Sequence, residues 1–124
     1  MLPSSFVGHV LDLLRPLGGV SARRMFGGYG LYKDGLMFAL IAEDILYFKA
    51  DTATEPSFRS AGMHPFTYRR RGRRTPVVMS YWEASPELFD DAEAMARWAA
   101  RALDAAGRAR KSGPTRPKPA PQNF

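Results

Sequence analysis

Five of the six residues from Arg69 to Arg74 are arginine, with Gly72 interrupting the run and Thr75-Pro76 closing it. Like charges packed this closely repel, so the segment reads as an arginine-loaded hairpin turn around Gly72 that projects into solvent or meets an anion. Guanidinium forks suit phosphate oxygens, which makes Arg69, Arg70, Arg71, Arg73 and Arg74 the candidate nucleic-acid-binding residues. The segment holds no Asn or Gln to read a base edge, so contact of this kind is expected to ignore base sequence.

The remaining chemistry-bearing residues point to less. Gly27-Gly28-Tyr29-Gly30 lacks the Gly-Lys-Ser/Thr of a phosphate loop, and its glycines open a strand rather than a helix. His9 and His64 lie far apart with no neighbour at ligand spacing, so no metal is expected. His9 reads as a helix-flank residue and His64 as part of a connector before Pro65. Glu43-Asp44 and Asp90-Asp91 are accounted for by a turn and a helix start. There is no nucleophile elbow and no cysteine, so no catalytic set and no cofactor are expected. Trp98 falls on the shoulder of an apolar helical stripe. There it either marks a contact surface, as the candidate partner-binding residue, or packs laterally on the sheet or another helix, the commoner use.

These residues depend on elements that the hydrophobic pattern outlines. Phe6, Val10, Leu13, Leu14 and Leu17 recur at helical spacing, predicting a helix from Ser5 to Arg15 that stops before Pro16. Ala22 to Phe26 reads as a first strand that bends through the glycines. Asp34-Gly35 between apolar runs is a strong hairpin signal and pairs Tyr29–Lys33 with Leu36–Ile41. Leu36–Ile41 is apolar on both faces, so either helices flank it twice or a second copy of the chain covers one face. Ile45–Lys49 follows as a fourth strand. Thr52-Ala53-Thr54-Glu55 fits a capping box and opens a short helix to about Ala61. Strands at Phe66–Tyr68 and Val77–Trp82 flank the arginines. Ser85-Pro86-Glu87 reads as the start of the last helix, with Leu88, Ala92, Met95, Ala96, Ala99 and Leu103 as its stripe, through about Ala106.

At 124 residues with 45% hydrophobic content the chain forms one domain with one core. The expected division is a domain over residues 1–107 and a disordered, basic, Pro-rich tail over 108–124, with nothing regular after about Arg110. Net charge is +6, and the excess lies in the arginine cluster and the tail: up to Tyr68 acids and bases balance at six each. No run approaches the length of a membrane span, and no signal peptide opens the chain, so a cytoplasmic protein without membrane contact is expected.

Arg23-Arg24-Met25-Phe26-Gly27-Gly28-Tyr29-Gly30-Leu31-Tyr32, followed by Asp34-Gly35-Leu36-Met37-Phe38-Ala39, resembles the signature of the TfoX/Sxy N-terminal domain family. Leu46-Tyr47-Phe48-Lys49, Gly62-Met63-x-Pro65-Phe66-x-Tyr68 and Ser80-Tyr81-Trp82-Glu83 extend the resemblance over roughly Phe6 to Leu103. It implies an α+β fold with helices packed on an antiparallel sheet, in agreement with the elements above, from which a two-layer domain of five to six strands and three helices is expected. It also implies regulation of competence genes, since full-length members are coactivators that act with the cyclic-AMP receptor protein at promoters for DNA uptake. The second, helical module of those members has no counterpart here, so a stand-alone TfoX-like protein is expected. The family supplies no catalytic residues. The first functional reading is therefore a non-enzymatic regulatory or protein-interaction domain, possessing a protein partner or a second copy in a homodimer. The alternative is a sequence-independent nucleic-acid-binding accessory protein, and a small-molecule binder or enzyme comes last.

Overall fold

The computed structural model describes residues 5–25, 27–68 and 77–112. Strands β1 (Ser21–Met25), β2 (Gly28–Lys33), β3 (Leu36–Ala42) and β4 (Ile45–Lys49) form an antiparallel meander. The chain then leaves the sheet through helix α2 (Glu55–Ser60). It returns at the far edge as β5 (Pro65–Tyr68) before β6 (Val77–Glu83) fills the gap beside β4. The six-stranded order is β1-β2-β3-β4-β6-β5. Helix α1 (Ser5–Leu13) touches β1, and α3 (Ala92–Ser112) lies chiefly over β3 and β4. The α+β class, the strand count and the three helices agree with the sequence reading. The arginine turn, Phe26 and residues 113–124 lie outside the described residues.

Local chemistry explains the hairpins. Asp34 and Gly35 both adopt positive φ, 53° and 77°, as a type I′ turn requires. The β3–β4 turn does the same without a glycine, at Glu43 (51°) and Asp44 (60°), a conformation that costs L-residues energy. β3 carries one extra residue. Leu31 pairs with Ala39 and Tyr32 with Met37, leaving Phe38 unopposed. This bulge lets Phe38 and Ala39 both enter the helix-side core.

That core gathers Val7, Val10 and Leu14 with Leu31, Phe38, Phe48, Phe58 and Met95. α3 contributes small residues: Ala99, Ala102 and Ala105 are fully buried. The observed stripe therefore runs through Met95, Ala99, Ala102 and Ala106, whereas Ala92 is exposed and Leu103 only half-buried. A second cluster, Leu40, Tyr47 and Tyr81 with Met37, Ala42, Ile45 and Phe66, draws entirely on strands.

Helix boundaries depart from expectation at three places. α1 ends at Leu13 and continues as a 3₁₀ turn over Arg15–Leu17, because Pro16 can donate no backbone hydrogen bond. Ser85-Pro86-Glu87 opens a 3₁₀ turn, Pro86–Asp90, rather than the last helix. Asp91 caps α3 instead, its Oδ1 accepting the Ala94 N–H at 3.0 Å. α3 then runs through Gly107 to Ser112, beyond the expected end near Ala106.

Gly28 sits where β2 meets β3 so closely that a Cβ would stand 2.2 Å from the Ile41 carbonyl oxygen. Gly8, inside α1, has open space around the same position. Gly28→Ala is expected to cost about 3 kcal/mol, and Gly8→Ala to gain about 0.5–1 kcal/mol. Urea unfolding separates them, and matching midpoints would show that the β2–β3 approach is not tight.

Candidate interaction surface

Asp51, just after β4, organises the entry to α2. Its Oδ1 accepts the N–H groups of Ala53 (3.1 Å) and Thr54 (3.2 Å), its carbonyl accepts that of Glu55 (2.8 Å), and its own N–H donates to Thr54 Oγ1 (2.9 Å). The expected capping box from Thr52 is thus replaced by an aspartate turn one residue earlier, and Thr54 is the buried member.

So started, α2 drives Phe58 into the core between two tryptophans. Its ring centroid lies 5.9 Å from that of Trp82 on β6 and 4.8 Å from that of Trp98 on α3. Each indole carries a guanidinium: Arg59 over Trp82 at 5.2 Å and Arg101 over Trp98 at 4.4 Å. Beside this row lies a shallow, solvent-open depression lined by Pro56, Ser57, Ser60, Ala61, Trp98 and Arg101. Trp98 is half-buried, so the lateral packing and the partial exposure expected of it occur together. Arg101 is one helical turn from Trp98 and legible as its neighbour. The pairing of Arg59 with Trp82 joins α2 to β6 and left no sequence signal.

The other candidates are dispersed. Arg69, Arg70, Arg71, Arg73 and Arg74 lie outside the described residues. His9 is exposed and stacks on Phe89 with centroids 6.2 Å apart. His64 is exposed, and its carbonyl accepts the Glu83 N–H at 2.8 Å. Among the described residues no three acidic or histidine side chains gather as a metal-holding group, and no helix is long and apolar enough to cross a membrane. In the strand-only cluster, burial pushes the Tyr81 hydroxyl up to about 12, with Tyr32 adding to the effect. Burial also lowers the Lys49 ammonium, opposed by Asp51; Lys49 donates to Ser80 Oγ at 2.8 Å.

The end of α3 is fastened by two arginines. Arg108 Nε and one terminal nitrogen donate to the two Asp51 carboxylate oxygens at 2.7 and 3.1 Å. Arg110 reaches the Gly35 carbonyl in the β2–β3 turn at 3.3 Å. The Arg108 hydrogen bond is the main reason the Asp51 carboxyl lies below its ordinary value, with Thr54 assisting and partial burial opposing.

The family model described as TfoX N-terminal domain matches residues 12–106. The chain is 30% identical over 108 residues to Protein Sxy of Escherichia coli (strain K12), covering 85% of this chain and 49% of that protein. It is 28% identical over 79 residues to DNA transformation protein TfoX1 of Aliivibrio fischeri (strain ATCC 700601 / ES114), covering 64% and 36%. The chain thus spans half or less of the length of these curated relatives.

A carboxyl whose value is depressed on folding stabilises above its unfolded value, and that contribution disappears as pH falls through the folded one. The Asp51–Arg108 clip is therefore expected to hold α3 to its end at neutral pH and release it only below the ordinary aspartate range. Asp51→Asn should lower the amide protection of residues 108–112 several-fold at neutral pH and remove the acid dependence of that protection, apart from any loss at α2. Unchanged exchange would show that the pair does not hold the helix end.

Proposed function

The chain belongs to the TfoX N-terminal domain family, and on that premise we propose that it is a non-enzymatic regulatory domain that works by binding a protein partner. The observation that carries this reading is the Trp98–Arg101 pair beside an open depression. Tryptophan and arginine dominate the energetics of protein interfaces, and shallow surfaces suit a protein partner better than an enclosed small molecule. The relatives support a role in the control of DNA uptake, one of them being named a DNA transformation protein. The cyclic-AMP receptor protein is the first partner to try, and the cytoplasm is the compartment in which such a role operates.

Immobilised chain is expected to retain a protein partner, or purified cyclic-AMP receptor protein, after nuclease treatment. Trp98→Ala should weaken that capture by about tenfold or more. Replacing Arg69, Arg70, Arg71, Arg73 and Arg74 by serine should leave it unchanged. Capture that disappears with nuclease and with the five serines would favour the sequence-independent nucleic-acid reading. That reading predicts a salt slope of about −0.9 per phosphate neutralised, about −4.5 at most for five.

The same proposal includes a symmetric homodimer over the strand-only face, where Met37, Ile45 and Phe66 remain half-exposed around Leu40, Tyr47 and Tyr81. Sedimentation at tens of micromolar should show a dimer, weakened by Ile45→Glu. A monomer at that concentration would remove the homodimer and leave the partner-binding reading untouched.

A further inference from the structure

All twelve acidic residues lie within the described residues, which makes the pairing of each arginine informative. Arg15 holds Asp12 and Arg108 holds Asp51. Arg59 and Arg101 hold no carboxylate among the described residues, although Glu55 is four residues before the first and Asp104 three after the second. Both instead lie on an indole, at 5.2 and 4.4 Å. A guanidinium resting over a ring in this way keeps N–H donors for a second partner, and its planar fork matches a carboxylate. The ordering cost of binding is thereby partly met in advance.

We propose that the depression between α2 and α3 receives an acidic peptide segment of a partner protein. A carboxylate of the segment meets Arg101, and an apolar side chain packs against Trp98, Pro56 and Ala61. This deepens the interaction-domain reading and rests on it. The hydroxyl-bearing residues Ser57 and Ser60 line the same depression and supply hydrogen-bonding groups for the segment's backbone. Charge favours a peptide over nucleic acid at this place. A phosphate backbone needs a row of cations, whereas Arg101 is the one charged residue lining the depression. Trp98 has Arg101 over its ring and Phe58 tilted against it, which leaves it ill-suited as a stacking platform for bases.

The test follows the indole N–H resonances by NMR at physiological salt, with Trp82, 4% exposed, as the internal control for an intact core. The probes are a capped peptide in which glutamates flank a Leu-Phe pair, the same peptide with glutamine for every glutamate, and a short DNA duplex. The glutamate peptide is expected to shift Trp98 and the Ser57 and Ser60 amides to saturation. Its affinity should be about tenfold higher than that of the glutamine peptide, and Arg101→Gln should erase the difference. Equal affinities for the two peptides, or a stronger Trp98 shift from the duplex, overturn the assignment. If that happens while Trp98→Ala still weakens capture of a protein partner, the acidic segment alone falls. If neither peptide nor partner engages Trp98, the interaction-domain reading falls with it.

Discussion

The close seating of α3 on the sheet is the constraint from which the rest of the molecule follows. Small side chains at Ala99, Ala102 and Ala106 allow the helix to approach strands that carry Phe38 and Phe48. Large residues on one layer thus meet small ones on the other, which is how interiors reach native packing density. The same closeness fixes what the flanks of α3 can do. Trp98, too large for the stripe, turns sideways onto Phe58 and so meets α2. The bulge at Phe38 is the sheet's half of this arrangement, since it gives β3 two neighbouring residues in the core instead of one.

The electrostatic anchors sit at the periphery. Asp51 serves two elements with one carboxylate, starting α2 through backbone N–H groups and receiving Arg108 from the end of α3. Arg110 adds a contact to the β2–β3 turn. The last turns of α3, otherwise rich in exposed polar residues, are thereby tied to both neighbours. Partly exposed pairs of this kind contribute modestly to global stability, and their effect is local: they determine how far a helix persists.

What could be read in the sequence was whatever depends on neighbours along the chain. Asp34-Gly35 announced its hairpin because only two residues decide it. Apolar runs beside turn residues outline the strands, and the glycine-rich signature leads to the α+β architecture. The two misplaced helix starts turn on competition between adjacent signals. Ser85-Pro86 and Asp91 both offer helix starts, and the packing of Leu88 and Met95 gave the true one to Asp91. Thr52 and Asp51 competed similarly. Of the candidate surface, Trp98 was visible as a residue out of register with its stripe. Arg59, Trp82 and Phe58 were not, because their meeting depends on the excursion of the chain through α2 between β4 and the far edge of the sheet.

The two edges of that sheet have a bearing on how the protein behaves when concentrated. β1, at one edge, carries Arg23 and Arg24 side by side. β5, at the other, is four residues long and opens with Pro65. Adjacent cations and a short, proline-led strand are devices that discourage a neighbouring chain from adding itself to exposed backbone groups. Association of this domain is steered away from open-ended strand addition, the route to fibres, and toward contacts read by side chains, which can be selective and can stop at a finite assembly.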